Sequence, residues 1–270
     1  MTLKRSGIPT VLLNNAHFRK VKRLTGQAVG DFRLIEDGDR IAVAVSGGKD
    51  SYALLNILTQ LQRRAPINYE LIAVNVDAGF PGYRKEVLEA YLRQCGFQVH
   101  MESTNCTQII EEKRRPGSSY CAFCARLRRG VLYSVADRLG CNKIALGHHL
   151  DDFIETLLLN QFYAGKLAAM SPKLLADNKR HTVIRPLVYV GESDIIKLAC
   201  QNEFPVIDCG CPLMGQEDQK RQRMKQLIAE LAKENRYLKS SMIRALSNVQ
   251  PRHLLDRELA RLMALDEQEG

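Results

Sequence analysis

The sequence has no long hydrophobic run, no internal repeat and no low-complexity segment. No window holds the roughly 18 uncharged apolar residues that a membrane-spanning helix needs. The opening residues, MTLKRSGIPT, also lack the apolar stretch of a secretory signal. We therefore expect no membrane span and a cytoplasmic location. Because structural disulfides are rare in that reducing compartment, the eight cysteines are better explained as metal-binding, catalytic or buried thiols.

The composition suits a globular enzyme-sized chain with a basic surface. With 270 residues, 45% of them hydrophobic, the chain can bury one main α/β core and a small appendage. Its 39 Lys and Arg exceed its 30 Asp and Glu, which gives a net charge of +9. Such an excess favours a polyanionic partner such as RNA, although solubility alone explains it equally well.

Short β-branched runs alternate with helical patterns through the first two thirds of the chain. Ile41–Val45 is a continuous apolar run of the kind found in strands buried on both faces. Further strands are expected at 71–76, 98–101, 143–146 and 182–190, with a helix over 125–139. The alternation predicts a doubly wound parallel sheet with right-handed crossovers. The predicted divisions are an N-terminal helical extension over 1–40, an α/β domain over 41–215 and a basic helical C-terminal region over 216–270.

The segment Ser46-Gly47-Gly48-Lys49-Asp50-Ser51 lies between a predicted strand and the start of a helix. Backbone N–H groups and the helix dipole favour an anion at such a place, and glycine lets it approach closely. The segment is not a Walker A loop, because Val43 and Asp50 stand where that motif needs glycine and Ser or Thr. We interpret it as a phosphate-binding loop, with Lys49 and Asp50 as candidate catalytic residues.

After the strand IAVAV, the segment SGGKDS resembles the PP-loop of the N-type ATP pyrophosphatases. That resemblance implies an adenine nucleotide alpha hydrolase-like fold and cleavage of ATP between its α and β phosphates. It also implies that the loop holds the pyrophosphate end of ATP. The segment Val74-Asn75-Val76-Asp77 would contact the adenosine, although Asp77 equally suits a turn.

Two close pairs of cysteines indicate a metal or cluster site. Cys121-Ala-Phe-Cys124 is expected to place two thiols across one tight turn, and Cys209-Gly-Cys211 adds two on a later loop. A redox dithiol, a zinc site and an iron-sulfur cluster all remain open. We favour three cluster ligands, because cysteines as close as a C-x-C pair make a strained zinc chelate. The remaining cysteines, at 95, 106, 141 and 200, are interpreted as buried apolar thiols.

An acidic segment follows the predicted strand at 143–146. Gly147-His148-His149-Leu150-Asp151-Asp152 should lie at the carboxyl edge of the sheet, above the phosphate loop. Its carboxylates suit Mg2+, and His149 or Asp152 is placed to move protons. We therefore take Asp152 as a candidate catalytic residue and Gly147 and His148 as candidate nucleotide contacts. A capped helix N-terminus explains the same aspartates without any catalytic role.

The ordered motifs are similar to those of the tRNA 2-thiocytidine synthetases, the TtcA branch of the PP-loop tRNA thiolases. They cover nearly the whole chain and read IEDGDR, SGGKDS, CAFCARLRRG, KIALGHHLDD, PKLL, VIRPL, FPVIDC and NVQPRHLLD. The resemblance implies an ATP-dependent tRNA-cytidine 2-sulfurtransferase acting on an anticodon-loop cytidine, at position 32. It also implies a 4Fe-4S cluster on three cysteines, with tRNA and a sulfur donor such as a cysteine desulfurase as partners; a homodimer is left open.

The family pattern sets the expected cluster ligands. Cys121 and Cys124 match it directly, whereas Cys209-Gly-Cys211 is one residue shorter than the family's C-x-x-C-G. Cys211 is the predicted third ligand and Cys209 the alternative. Three other functions are open: a PP-loop thiolase acting on a tRNA uridine, a PP-loop adenylating ligase or amidotransferase with structural zinc, and a non-catalytic RNA-binding protein.

Overall fold

The computed structural model describes residues 16–114, 120–211 and 219–266. The chain divides into two compact units. The first comprises Met1–Phe153 and Met170–Gln219, and the second comprises Ile154–Ala169 and Lys220–Gly270. The three-part division expected from the sequence stays a prediction. Among the described ranges, no helix is long and apolar enough to cross a membrane.

The first unit contains a six-stranded sheet. Its strands are β1 (Asp39–Ala44), β2 (Tyr69–Asp77), β3 (Val99–Ser103), β4 (Lys143–Ala145), β5 (Lys173–Leu175) and β6 (Thr182–Ile184). They lie in the order β3-β2-β1-β4-β6-β5, and every neighbouring pair is parallel except β5 and β6. The predicted doubly wound α/β fold is confirmed, with one antiparallel edge strand that was not predicted.

Helices cover both faces of the sheet in the first unit and form most of the second. They are α1 (Ala16–Asp31), α2 (Lys49–Gln62), α3 (Lys85–Gln94), α4 (Cys106–Lys113), α5 (Tyr120–Arg138), α6 (Leu150–Ala164), α7 (Glu192–Gln201), α8 (Gln219–Glu234), α9 (Leu238–Ala245) and α10 (Arg257–Asp266). A short 3-10 helix spans Pro251–His253. The strand expected over 182–190 ends at Ile184, because Pro186 cannot donate to a strand ladder.

Alternate residues of β1 enter two different apolar clusters. Ile41 and Val43 pack in a cluster with α2 and α7, whereas Ala42 packs in one that includes Ile144 and Val135 of α5. The central strand is therefore buried on both faces, as its unbroken apolar run predicted. In a doubly wound sheet, ligands bind at the carboxyl ends of the strands, which here are the ends of β1, β2 and β4.

Candidate active site

The phosphate loop connects the end of β1 to the first residue of α2, Lys49. Gly47 has a φ of 86°, and a Cβ there would lie 2.3 Å from Cγ1 of Ile207, so only glycine fits. The Ile207 N–H donates to the Gly47 carbonyl at 3.0 Å, which ties the loop to the segment before Cys209. The first amides of α2 are thereby aimed at one fixed place, the usual setting for a bound phosphate.

The two serines of the loop have different surroundings. The Ser51 side chain is buried, and its hydroxyl donates to the Gly48 carbonyl at 2.8 Å, so it braces the loop. Ser46 lies at the surface, and its hydroxyl accepts the Gly48 N–H at 3.4 Å. The Tyr83 hydroxyl donates to the Ser46 carbonyl at 3.1 Å. Ser46 is therefore the serine of the loop that is exposed, and it lines the adjoining cavity.

Lys49 lies between two carboxylates. Its Nζ is 3.3 Å from Oδ2 of Asp50 and 3.2 Å from Oε1 of Glu192, at the start of α7. Burial alone would lower the pKa of Lys49, but the negative charges of Asp50 and Glu192 outweigh it and raise that pKa. The ammonium of Lys49 therefore stays charged. Glu192 was not among the residues predicted from the sequence.

The segment after β4 closes against the start of α2. A Cβ on Gly147 would lie 3.2 Å from the carbonyl carbon of Asp50, so the two backbones touch there. His149 is buried, with Nε2 3.5 Å from Asp152 Oδ2 and 3.8 Å from Asp50 Oδ1. Asp152, the third residue of α6, also accepts the N–H of His149, which directly precedes the helix, at 2.9 Å. Asp50 Oδ1 is buried and accepts no hydrogen bond from the described residues.

His148 faces an arginine that sequence reasoning missed. The Arg185 Nε–H lies 3.3 Å from His148 Nδ1, and an Arg185 Nη1–H donates to the Ser171 carbonyl at 2.6 Å. Burial, and next the nearby charge of Arg129, lower the pKa of Arg185. The only signal in the sequence was its place in VIRPL, directly after β6.

Asn75 and Asp77, the predicted adenosine contacts, make internal hydrogen bonds through their side chains. Asn75 is fully buried, and its Nδ2 donates to the Val45 carbonyl at 2.7 Å and to the Tyr83 hydroxyl at 2.6 Å. Asp77 accepts the Gly79 N–H at 2.8 Å and pairs with Lys85 at 2.9 Å. Both side chains shape the end of β2, and their contact with a nucleotide stays a prediction.

The cysteines occupy different surroundings from one another. Cys121 and Cys124 lie in the first turns of α5, so the tight turn expected between them is wrong; the helix starts at Tyr120 rather than near Ala125. Cys124 is buried in an apolar cluster with Phe80 and Cys106, and Cys211 packs against that cluster. Burial raises the pKa of Cys124, partly offset by Arg128, so the thiol is neutral in the metal-free chain.

The four single cysteines fit their interpretation only in part. Cys106 and Cys141 are buried, as expected. Cys95 is half-buried, and Cys200 is exposed because it lies on the outward face of α7. Burial raises the pKa of Cys95 and of Cys141. Neither the burial nor the pKa of these four cysteines identifies any of them as a metal ligand. Within the described residues, no three His, Cys, Asp or Glu side chains converge as a site for one metal ion.

Two cavities open at the carboxyl ends of β1 and β2. The phosphate cavity, of about 360 Å³, is lined by the loop residues Ser46, Lys49 and Asp50 and also by Phe80, Tyr83 and Cys209. The apolar cavity, of about 280 Å³, is lined mainly by Val74, Leu132, Tyr133, Leu146 and His148. Ser46, Val76 and Arg128 line both cavities. Arg128 therefore places a positive charge where the two cavities meet.

Comparison with known proteins identifies the family. Residues 14–208 match a model of the PP-loop domain. A tRNA-cytidine(32) 2-sulfurtransferase of Syntrophotalea carbinolica is 70% identical over 242 residues, which cover 90% of this chain and 93% of that protein. The chain belongs to the tRNA-cytidine(32) 2-sulfurtransferase family. A member of that family from Geobacter sulfurreducens is 62% identical over 93% of this chain and 97% of its own length. The predicted family is confirmed.

A solved structure supports the fold of this sulfurtransferase family member. The U34-tRNA thiolase NcsA from Methanococcus maripaludis, determined with its 4Fe-4S cluster, superposes with a TM-score of 0.69. The match covers 86% of this chain and 78% of that one, at 22% sequence identity. At that identity the likeness concerns the fold, which is the PP-loop fold predicted above.

Proposed function

We propose that the chain is a tRNA sulfurtransferase that uses ATP to convert a cytidine, at position 32 of the anticodon loop, to 2-thiocytidine. The family supports this activity. The observation that supports the mechanism is the phosphate cavity, which the PP-loop lines together with Cys209, two residues before the proposed cluster ligand Cys211. The C2 oxygen of the base attacks the α phosphorus, pyrophosphate leaves, and sulfur then displaces AMP at C2.

ATP fits across the two cavities. Its phosphates suit Ser46, Gly47, Gly48 and the first amides of α2, with Lys49 neutralising their charge. The adenosine suits the apolar cavity, whose walls include Val74, Leu132 and Leu146. Because Val74 and Val76 belong to β2, the backbone at the end of that strand would contact the adenosine. The side chains of Asn75 and Asp77 would hold this backbone in place. Gly147 and His148 would border the same nucleotide.

The α phosphate would lie where the cavities meet. Arg128 lines both cavities there, so its guanidinium would stabilise the charge that develops as the base oxygen attacks. The base, extruded from its stack, would enter the phosphate cavity beside Phe80 and Tyr83, which offer aromatic surface.

Mg2+ would be held by Asp50 and Asp152, together with the phosphates. Asp50 Oδ1 is buried without a hydrogen-bond donor from the described part of the chain. Because buried polar atoms normally have a partner, this oxygen suits a bound cation. Mg2+ usually takes one or two carboxylates plus phosphate oxygens, so no convergent cage of protein ligands is needed. His149 lies within 4 Å of both carboxylates and would orient them.

Cys121, Cys124 and Cys211 would hold a 4Fe-4S cluster. Their fit rests on donor chemistry and placement: Cys124 and Cys211 share an apolar cluster, and Cys121 lies one helical turn before Cys124. When bound, the cluster would supply an iron without a protein ligand, at which the transferred sulfur could bind.

The placement of the two late cysteines favours Cys211 as third ligand. Cys211 packs on the cluster of apolar side chains around Cys124, whereas Cys209 is exposed and lines the phosphate cavity. Cys209 stays the alternative ligand.

We also propose tRNA and a sulfur donor such as a cysteine desulfurase as partners, a cytoplasmic location and, as an option, a homodimer. Exposed basic residues of α8, including Arg223, Lys225 and Lys233, suit tRNA phosphates. Affinity for tRNA should therefore fall steeply with added salt.

Nucleoside analysis of cells that lack the gene tests the function. Total tRNA is digested, and its modified nucleosides are measured by mass spectrometry in the wild type, the deletion strain and a complemented strain. We expect 2-thiocytidine to vanish in the deletion strain and return on complementation. If a thiouridine is lost instead, the substrate is a uridine. If the nucleoside profile is unchanged, the protein does not thiolate tRNA.

A further inference from the structure

The exposed aromatic side chains of the protein are confined to its second unit. The chain has eight Phe, nine Tyr and no Trp. Within the described residues only Phe162, Tyr163 and Tyr237 are exposed, by 57%, 46% and 55%, and all three belong to the unit formed by Ile154–Ala169 and Lys220–Gly270. Because an aromatic ring has much to gain from burial, three rings left in water indicate a surface that binds something.

Two of these rings have a cation beside them. Nζ of Lys220 lies 4.7 Å from the centre of the Tyr163 ring, and Cζ of Arg236 lies 4.5 Å from the centre of the Tyr237 ring. A cation–π contact at an exposed site contributes too little to explain why the ring stays in water. Each pair does place a positive charge and a flat apolar surface side by side. Such a pair suits a ligand that carries both a negative charge and a ring.

The Tyr163 pair is held by two helices that are joined to each other. Tyr163 is the penultimate residue of α6, and Lys220 is the second residue of α8. Next to Lys220, the Nε of Arg221 lies 3.4 Å from Oε2 of Glu155, a buried carboxylate of α6. Burial of Glu155 weakens the screening of this ion pair by water, so the pair holds the two helices together. The ring and its cation are therefore in place before a ligand binds.

The helices that carry the two cations are strongly basic. Residues 219–245, which span α8 and α9, contain eight Lys and Arg but only two Glu. A second copy of the chain would present the same positive charge to this surface, because a twofold interface pairs identical patches. An anionic ligand is attracted by it instead. A single nucleic acid strand supplies a phosphate for each cation and a base for each ring.

We propose that the second unit binds unpaired nucleotides of the tRNA, whose bases stack on Tyr163 and Tyr237 and whose phosphates pair with Lys220 and Arg236. The inference rests on the proposed function, because it takes tRNA as the anionic partner. Stacking tolerates any sequence, since every base has a flat face, whereas the base faces inside a duplex are covered by their neighbours. The unit therefore distinguishes unpaired RNA from paired RNA.

Fluorescence anisotropy of the full chain with a labelled oligocytidylate of about 12 nucleotides tests the stacking. Y163A and Y237A should each weaken binding about fivefold to 100-fold, the range for the loss of one stacked base. Y163F keeps the ring and should bind as the wild type does. L175A is a matched control, because it removes an exposed apolar side chain from β5 of the first unit and should change nothing.

An RNA duplex of the same length provides the comparison for paired bases. Y163A and the wild type should bind the duplex equally. Equal affinities of Y163A and the wild type for the oligocytidylate would overturn the proposal. So would equal losses for the oligocytidylate and the duplex, because the ring would then not distinguish unpaired bases.

A salt titration separates stacking from charge. K220Q should reduce the slope of log affinity against log salt concentration by about 0.7, the value for one phosphate of a single strand. Y163A should leave the slope unchanged, because it removes no charge. A slope reduced equally in both variants would contradict stacking. Light scattering tests the second copy as the occupant: a lower mass for Y163A, with unchanged affinity for the oligocytidylate, would assign the surface to a dimer and refute the proposal.

The proposed function and this inference fail on different results. An unchanged nucleoside profile in the deletion strain, together with weakened oligocytidylate binding by Y163A, would refute tRNA thiolation and leave the stacking surface standing. Loss of 2-thiocytidine in the deletion strain, together with normal oligocytidylate binding by Y163A, would refute the stacking surface alone.

Discussion

Replacing Gly47 by alanine should distort the phosphate loop through one identifiable contact. The residue has a φ of 86°, and the new Cβ would lie 2.3 Å from Cγ1 and 2.8 Å from Cδ1 of Ile207. The positive φ costs an L-residue about 1–2 kcal/mol. Relieving the overlap in a packed site costs a further ~1–3 kcal/mol. We therefore expect G47A to lose about 2–5 kcal/mol of unfolding free energy.

Two other positions separate the cost of the positive φ from the cost of the overlap with Ile207. Gly82 has a φ of 85° with open space around its Cβ position, so G82A isolates the backbone cost and should lose about 1–2 kcal/mol. In I207A the two clashing carbons are gone and only Cβ remains, 3.7 Å from the position of the methyl group that G47A introduces. I207A alone should cost about 2–5 kcal/mol as a buried truncation. The double variant should then be about 1–3 kcal/mol more stable than the sum of the two single changes predicts.

Urea unfolding of the four variants and the wild type, followed by circular dichroism, measures these differences. Binding of a fluorescent ATP analogue shows whether the loop keeps its shape: it should weaken in G47A, recover in part in the double variant and stay normal in G82A. Strict additivity of G47A and I207A would show that the two side chains do not meet, and the reasoning would fail.

Three further predictions concern the cluster ligands, the reactivity of the cysteines and a buried ion pair. C124S and C211S should lose the visible absorbance and iron of anaerobically purified protein, whereas C209S should keep both; loss in C209S alone would reverse the ligand assignment. In metal-free protein near neutral pH, iodoacetamide should modify the exposed Cys200 and Cys209 well before Cys124, because burial raises the Cys124 pKa and leaves its thiol protonated; equal rates by peptide mass spectrometry would contradict that burial. K143M should lose about 3–5 kcal/mol in urea unfolding, because buried Lys143 lies 2.7 Å from the equally buried Asp39, which would keep its hydrogen bonds from the Glu36 N–H and Asn142 but lose its cationic partner; a loss below ~1 kcal/mol would refute this.

The sequence predicted the features that depend on local pattern. The apolar run at Ile41–Val45 and the glycines of SGGKDS specify a buried strand and a close-approach loop, whichever residues surround them. The same holds for the acidic segment after β4, since a strand end followed by aspartates predicts a capped helix at the sheet edge. These elements lie where they were expected.

Features set by contacts between distant segments could not be predicted. The pairing of Glu192 with Lys49 depends on where α7 begins relative to α2, and the place of Arg128 between two cavities depends on the angle at which α5 crosses the sheet. The start of α5 was missed because helix propensity is weak around Tyr120-Cys121-Ala122-Phe123, where packing against Phe80 decides. The antiparallel β5 is too short to give a periodic signal.

In the proposed reaction the base oxygen attacks the α phosphorus of ATP, so this oxygen leaves with AMP. A tRNA with ¹⁸O at C2 of cytidine 32, incubated anaerobically with the protein, ATP and sulfide, tests it directly. We predict one ¹⁸O atom in the AMP released for each 2-thiocytidine formed, as measured by mass spectrometry. Label appearing in water or pyrophosphate, with unlabelled AMP, would contradict the mechanism.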